Sequence, residues 1–185
     1  MHDEVLTYLP ASIDILVNLR KLDLSENRLR EIPETLGNLV QLNELYLFEN
    51  KLRDIPKSIG NMINLQVLDL SDNKLTSIPA SFGNLVNLQE LYLSDNRFIN
   101  IPSTLGNLIN LKILRLHSNK LIDVPSSLGN LVNLRELELY DNNLTEIPST
   151  LDNFVNLQRL DLYGNKLTEQ EKIRIKQKYG ILVNI

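Results

Sequence analysis

The chain has 185 residues, of which 19 are basic and 23 acidic, and a formal net charge of -4 at pH 7. This mild charge argues against a nucleic acid or an anionic membrane as a partner held mainly by electrostatics. Cysteine is absent, which excludes disulfides, catalytic thiols and cysteine-zinc sites. No stretch approaches the run of about 18 apolar residues that a membrane-spanning helix needs, so we predict no membrane insertion. The first ten residues lack the basic and apolar regions of a secretory signal.

Residues 6–18, LTYLPASIDILVN, correspond to the second half of a unit that the rest of the chain repeats. The first half of that unit, which would carry its strand, is missing. We therefore expect the strand around residues 19–24 to lie at an open edge, covered at most by residues 1–8. An unpaired edge is a liability for a sheet, which predicts either a covering segment or a longer natural chain.

From Leu19 onwards the sequence repeats every 23 residues without insertion. A fixed period of this length predicts a solenoid, in which each unit packs only on its neighbours. One leucine recurs in seven copies, at Leu19, Leu42, Leu65, Leu88, Leu111, Leu134 and Leu157. An isoleucine or valine followed by proline recurs in six copies, at Pro33, Pro56, Pro79, Pro102, Pro125 and Pro148.

Each repeat begins with an alternation of apolar and polar residues, the pattern of a half-buried strand. In the third repeat Leu68 and Leu70 are expected to point inwards and Asp69 outwards. We predict strands of about five residues that stack into a parallel sheet at about 4.8 Å per step. An asparagine follows each strand, and a buried ladder of these amides would satisfy the backbone where the chain turns. Its members are Asn27, Asn50, Asn73, Asn96, Asn119, Asn142 and Asn165.

The second half of each repeat predicts a short convex segment. Pro79 presets the backbone for a helical turn, and Gly83 is expected to end it. The few residues between them suit a short 3₁₀ or irregular helix rather than a full α-helix. A further apolar column is interpreted as packing between adjacent repeats rather than as a second binding surface: Val40, Ile63, Val86, Ile109, Val132 and Val155.

The last unit departs from the pattern at Gln170 and Glu171, where the isoleucine and proline are replaced. Thr168 to Glu171 form a capping box, which predicts a helix that ends at Gly180, followed by a terminal strand. Because the end of a solenoid must present a polar face to water, we interpret residues 168–185 as a C-terminal cap and expect the natural chain to end here.

The pattern LxxLxLxxNxLxxIPxxLGNLxN resembles the 23-residue class of leucine-rich repeats over nearly the whole chain. The resemblance implies an α/β fold: a right-handed solenoid with a parallel concave sheet of seven strands, short 3₁₀ or irregular convex segments and a C-terminal helix-strand cap. We expect a single domain over residues 1–185. It would comprise a truncated N-terminal repeat (1–18), seven repeats of which the last is incomplete (19–167), and the cap.

The sequence offers little for enzyme chemistry. No GxSxG, HExxH or P-loop motif is present, so we predict a protein that is not an enzyme and needs no cofactor or metal. An acidic row (Glu26, Glu49, Asp72, Asp95 and Asp141) is accompanied by a basic row two residues later (Arg28, Lys51, Lys74, Arg97 and Lys120). We interpret them as two facing rows of opposite charge at the turns rather than as a calcium site.

The outward positions of the strands differ between repeats, because they do not hold the core. Tyrosine and arginine dominate interface hot spots, and five of the ten aromatic residues fall on this face. The alternative is that strands simply favour aromatic residues. We predict a partner-binding surface with an apolar-aromatic strip of Tyr46, Phe48, Val67, Tyr92 and Ile113 and a second cluster of Arg115, His117, Tyr140 and Tyr163.

The resemblance implies recognition of a protein partner through the concave face. The chain is similar to short bacterial leucine-rich repeat proteins, including those secreted by pathogenic spirochaetes, which are thought to bind host surface proteins. This implies a secreted protein, whereas the absence of a signal, if native, implies a cytoplasmic one. Two alternatives stay open: an intracellular scaffold of the Ras-pathway type, and a structural module that self-associates through the edge at residues 19–24. A monomer is expected, with an edge-mediated dimer as the alternative.

Overall fold

The computed structural model describes residues 5–185, which form a solenoid around one eight-stranded sheet. All neighbouring strands are parallel and follow one another in chain order, as the fold class predicted from the sequence requires. The strands are β1 (Lys21–Asp23), β2 (Glu44–Tyr46), β3 (Val67–Asp69), β4 (Glu90–Tyr92), β5 (Ile113–Arg115), β6 (Glu136–Glu138), β7 (Arg159–Asp161) and β8 (Val183–Asn184).

The strands are shorter than predicted. Each of the first seven has three residues rather than about five, because the chain soon turns away into a left-handed residue, such as Glu49 with φ 51°. Backbone pairing still continues beyond the strand, since the Leu47 N–H donates to the Asp69 carbonyl at 2.8 Å. The terminal strand predicted in the C-terminal cap is β8, which pairs with β7 and extends the sheet to eight strands.

The convex side consists of short 3₁₀ helices, as the sequence predicted. They span Ala11–Ile15, Glu34–Asn38, Lys57–Asn61, Ala80–Asn84, Ser103–Asn107, Ser126–Asn130 and Ser149–Asn153, with a further turn at Gly180–Leu182. The role expected for Gly83 is wrong, since it lies inside its helix and has no positive φ. A Cβ atom there would lie 2.6 Å from the Thr104 carbonyl oxygen, so the glycine permits close stacking of the next repeat.

Buried leucines fill the space between the sheet and the 3₁₀ helices, and the asparagines after the strands close its edge. The Asn73 Nδ2 donates to the carbonyls of Leu47, Leu70 and Ser71 at 2.9, 3.2 and 3.1 Å. Its Oδ1 accepts from the Leu52 N–H at 3.0 Å, so the amide joins two repeats. The five inner ladder residues are buried, whereas Asn27 and Asn165 at the ends are half-buried.

Two further ladders connect the repeats, and the sequence reasoning missed both. On the convex side, the Thr104 Oγ1 donates to the Ala80 carbonyl at 2.8 Å, and a serine or threonine repeats this bond in other units. Before the strands, the Asn87 Nδ2 donates to the Ile63 carbonyl at 2.8 Å, and four more asparagines do the same. The recurrence of these residues every 23 positions was the available signal.

The valine and isoleucine column was interpreted wrongly. Its six residues are not buried between repeats, because each side chain is at least 40% exposed at the corner where a convex segment leads into the next strand. We call Val40, Ile63, Val86, Ile109, Val132 and Val155 the aliphatic stripe. The apolar residue directly before each member and the leucine two residues after it are buried in the core, so the intervening side chain points outwards.

The acidic row has a backbone role that the sequence did not reveal. Glu26, Glu49, Asp72, Asp95 and Asp141 all have φ between 48° and 56°, a region that aspartate tolerates better than most residues. Within residues 5–185 no ion pair joins this row to the basic row. The same part of the chain contains no group of three or more acidic or histidine side chains that could hold a metal ion.

The two ends of the solenoid differ. At the C-terminal end, helix α1 (Glu169–Tyr179) begins at Thr168, whose hydroxyl accepts from the Glu171 N–H at 3.2 Å; the predicted helical cap is confirmed. At the other end β1 pairs only with β2 among the described residues. Of the segment expected to cover it, residues 1–4 lie outside the described residues and Leu6 bonds to Arg28 beyond the strand. None of the helices in the described range is long and apolar enough to cross a membrane.

Candidate functional site

The parallel register aligns the outward side chains of the concave face in columns, with about 4.8 Å between neighbouring strands. One column opens each strand and contains Val67 and Ile113, and a second closes each strand and contains Tyr46, Tyr92 and Arg115. A third lies two residues further on and contains Phe48, His117, Tyr140 and Tyr163. All nine residues predicted to bind a partner therefore share one face. Eight of them are half-buried and Tyr163 is 61% exposed.

Carboxylates interrupt the aromatic strip, which is therefore not one continuous apolar surface. Asp69 lies between Tyr46 and Tyr92 in the register of the sheet. Both tyrosine hydroxyls donate to a carboxylate two residues earlier, Tyr46 to Glu44 at 3.1 Å and Tyr92 to Glu90 at 2.6 Å. Desolvation and the adjacent carboxylate raise the pKa of both phenols. The two phenols thus stay neutral, and their hydroxyls are held in a fixed orientation by the glutamate carboxylates.

Each of these tyrosine rings already contacts a cation of the chain itself. The Lys21 Nζ lies 4.6 Å from the Tyr46 ring centroid and 2.9 Å from a Glu44 carboxylate oxygen. The Arg115 guanidinium carbon lies 5.2 Å from the Tyr92 ring centroid. A cation over an aromatic face is attracted by the ring quadrupole. The faces of these tyrosines and the adjacent carboxylates are therefore well placed to bind basic side chains.

The second cluster is built around Glu138, a residue that the sequence reasoning did not select. Its side chain is buried, and its carboxylate lies 3.0 Å from Arg159, 3.4 Å from Arg115 and 3.7 Å from His117. A buried carboxylate requires such partners, because an unpaired charge away from water is costly. Glu138 and Arg159 occupy outward strand positions, and that placement was the available signal.

His117 and Tyr140 form the aromatic part of this cluster. Their rings stack with centroids 4.2 Å apart and an angle of 6° between the planes. Burial lowers the pKa of His117, although the nearby carboxylates of Asp95 and Glu138 act in the opposite direction. A stacked, partly desolvated pair offers a rigid surface that loses little entropy on contact with a partner. Tyr163 lies in the same column and is more exposed.

The arrangement suits recognition by shape and charge. It combines rigid aromatic faces with fixed carboxylates and two arginines on a surface where neighbouring backbones are hydrogen-bonded. Protein interfaces favour these aromatic and arginine side chains at their centres. Every charged group in it has an ion pair or hydrogen bond that explains its position, so none is singled out as a catalytic acid or base.

Comparison with known proteins places the chain among repeat proteins. A family model described as a leucine-rich repeat region matches residues 34–170, and a leucine-rich repeat model matches residues 18–39. A search of curated proteins finds no match. A solved leucine-rich repeat protein of Leptospira interrogans is 31% identical, with a TM-score of 0.83 over 98% of this chain and 52% of the other. The chain therefore spans about half the length of that protein.

Two further solved structures have the same fold. A plant peptide hormone receptor in complex with its peptide is 38% identical, with a TM-score of 0.80 over 87% of this chain and 27% of the receptor. An internalin of Listeria monocytogenes is 28% identical, with a TM-score of 0.78 over 90% of this chain and 48% of the internalin. Because the family model covers more than half of the residues, the chain belongs to the leucine-rich repeat family.

Proposed function

We propose that the chain is a non-enzymatic recognition protein that binds a protein partner through the concave face, and that this partner is a host surface protein. Leucine-rich repeat proteins generally serve as interaction scaffolds. The observation that carries the proposal is the concentration of aromatic side chains on this face: five of the ten in the chain lie there, although the core is filled by leucines.

The proposal of a host surface protein as the partner rests on the similarity to bacterial leucine-rich repeat proteins. The Leptospira protein matches 98% of this chain, and the internalin matches 90% of it. A partner at the surface of another cell is therefore the first class to test. The partner would contact Tyr46, Tyr92 and Tyr140, which are rigid, half-buried side chains with polar tips.

The test is a pull-down with the immobilised protein from separate cell-surface and cytosolic fractions, read by mass spectrometry. The test variant is Tyr46→Ala/Tyr92→Ala/Tyr140→Ala, and we expect it to lose the partner. The matched control is Tyr8→Ala/Ile99→Ala/Ile122→Ala, which removes three exposed apolar side chains outside the concave columns. Thermal unfolding of both variants shows that each remains folded.

The fraction in which the partner appears separates the alternatives. A surface or matrix protein lost with the tyrosine variant supports the host-facing proposal. A small GTPase or phosphatase from the cytosolic fraction would instead favour the intracellular scaffold. If a partner binds the tyrosine variant as strongly as the wild type, the concave face is not the binding surface.

A second candidate partner is an extended peptide. The plant receptor with 38% identity was solved in complex with a peptide hormone, and the columns of the concave face offer a regular repeat along which an extended chain can lie. A synthetic peptide library displayed on beads, read with the same tyrosine variant as control, distinguishes this ligand from a folded surface protein.

A further inference from the structure

The aliphatic stripe is a second surface of the molecule, separate from the concave face. With Val17, one repeat before Val40, it has seven members, each between 40% and 79% exposed. They lie one repeat apart at the corner before each strand, so the stripe extends over about 29 Å at the spacing of parallel strands. Seven half-exposed aliphatic side chains leave on the order of 500 Å² of apolar surface open, as large as the largest patch on a typical monomer.

The segments that contain the five inner members of the stripe carry no charge, whereas those of Val17 and Val155 contain Asp14 and Asp152. The segments Leu36–Gln41, Ile59–Asn64, Phe82–Asn87, Leu105–Asn110 and Leu128–Asn133 contain only apolar, glycine and amide residues, in a chain of which 23% is charged. The amides that flank the stripe are exposed or half-exposed. A protein interface has an apolar centre and a polar rim. The uncharged amides beside the aliphatic stripe have the composition of such a rim, and they cause no charge repulsion between two copies of the chain.

The order of residues along the stripe is the same from both ends. It reads valine, valine, isoleucine, valine, isoleucine, valine, valine, and its middle member is Val86. A two-fold interface requires a surface that complements itself, so that residue i meets residue j and j meets i. A two-fold axis beside Val86 places Ile63 against the partner's Ile109 and Val40 against the partner's Val132.

We propose that the stripe binds a second copy of this chain, antiparallel, around a two-fold axis at Val86. Only another copy is certain to present aliphatic side chains at the same spacing over the same length. A stable interface buries about 800 Å² on each partner, and the stripe with its flanking amides supplies an area of that order. The dimer leaves both concave faces free. It can therefore bind two sites on one surface at the same time, which increases its avidity.

The test is the mass in solution, measured by analytical ultracentrifugation over about a hundredfold range of concentration, because dimerisation follows mass action. The monomer has a mass of 21.2 kDa, and we expect the wild type to reach twice this mass as the concentration rises. In the proposed register, Ile63→Asp buries an unpaired negative charge against the partner's Ile109. Ile109→Arg buries an unpaired positive charge against the partner's Ile63. Each single variant should weaken the dimer at least about tenfold.

The double variant Ile63→Asp/Ile109→Arg identifies the register. It places each aspartate opposite the partner's arginine, so we expect the dimer to be restored in part. Within one chain the two positions lie two repeats apart, about 9.6 Å, too far for a direct ion pair between neighbouring side chains. The control Ile99→Asp adds the same charge at an exposed position outside the stripe and should leave the dimer unchanged.

The remaining outcomes overturn the proposal. A wild type that stays monomeric over the whole range has no such interface. A dimer that survives both single variants is held by another surface, for example the outer edge of β1. If both single variants and the double variant are all monomeric, the proposed two-fold register is wrong. Circular dichroism of each variant establishes that it is folded before its mass is interpreted.

Discussion

At the scale of single residues, the side chain of Asn73 shows how one amide joins two repeats. It makes four hydrogen bonds, two of them to backbone groups of the preceding repeat, the Leu47 carbonyl and the Leu52 N–H. We expect Asn73→Ala to lower the free energy of unfolding by about 1–3 kcal/mol, because buried backbone groups lose their partners. Urea denaturation followed by circular dichroism measures the change.

The matched control for Asn73 is Asn61→Ala. Asn61 is exposed at the end of a convex 3₁₀ helix, so its amide is open to water and its loss should change the stability by less than about 0.5 kcal/mol. Equal losses for the two variants would show that the ladder amides contribute no more than a surface asparagine.

His117 predicts a dependence of stability on pH. Its pKa is lowered from the ordinary value of 6.5, first by burial and also by Arg115, against the opposing effects of Asp95, Glu138 and Asp141. The unfolded chain therefore binds this proton at a higher pH than the native chain does. The contribution of His117 is fully present above the ordinary pKa, and it is lost as the pH falls through that value and below.

The measurement for His117 compares the wild type with His117→Gln at about pH 8 and about pH 5. We expect the wild type to lose more stability than the variant between the two values, because glutamine takes up no proton. The carboxylates common to both proteins cancel in this comparison. A variant with an unchanged or larger loss would mean that the carboxylates of Asp95 and Glu138 dominate over burial.

The sequence could predict which residues face outwards in the candidate site but not how they interact. Tyr46 and Tyr92 were found because an alternating strand pattern places every second residue on the same face. Their hydrogen bonds to Glu44 and Glu90, and the burial of Glu138 by arginines from two neighbouring strands, depend on side-chain rotamers. A repeat pattern contains no information on rotamers, so these contacts could not be predicted from the sequence.

At the scale of elements, the glycine of each convex segment determines how closely two 3₁₀ helices approach. A Cβ atom on Gly83 would lie 2.6 Å from the Thr104 carbonyl oxygen and 2.8 Å from the Thr104 Cβ. We expect Gly83→Ala to lower the free energy of unfolding by about 1–3 kcal/mol, because backbone of the next repeat has to move. The neighbouring exposed residue provides the control, Asn84→Ala, and thermal unfolding is the measurement. A Gly83→Ala protein as stable as this control would show that the repeats have room to separate.

The elements themselves were largely predictable, whereas two residue roles were not. The period of 23 residues predicts the strands, the convex turns and the asparagine positions, and the capping box predicts α1. The roles given to Gly83 and Val86 were wrong for different reasons. The role of Gly83 is set by the distance between neighbouring repeats, and Val86 points outwards because Leu85 and Leu88 already fill the core. A glycine that ends a helix and one that admits a neighbour look alike in sequence. So do a valine packed between repeats and one that points into solvent.

At the scale of the whole molecule, the stacked repeats give the concave face an excess of acidic side chains. Ten outward strand positions are charged, and seven of them are acidic. The acidic residues are Asp23, Glu44, Asp69, Glu90, Glu136, Glu138 and Asp161, and the basic ones are Lys21, Arg115 and Arg159. This face therefore has the same excess of four negative charges as the whole chain, whose net charge is -4.

The charge of the concave face predicts how its partner associates. Complementary charges accelerate encounter, and salt screens them over about 8–10 Å at moderate ionic strength. We expect a partner with a basic contact surface, whose association rate constant falls about tenfold or more as the salt concentration rises from low to high. Asp69→Lys, between Tyr46 and Tyr92, should slow association at low salt, and stopped-flow or surface plasmon resonance measures the rate.

The control for this prediction is Asp54→Lys, which makes the same change of charge at an exposed position outside the concave columns. Both variants alter the net charge of the molecule equally, so a global effect would slow them equally. A local effect of the concave face slows only Asp69→Lys, and the difference between the variants should disappear at high salt, where the screening length is about 3 Å. An association rate that is independent of salt, or equally sensitive to both substitutions, would mean that the acidic columns do not guide the partner to this face.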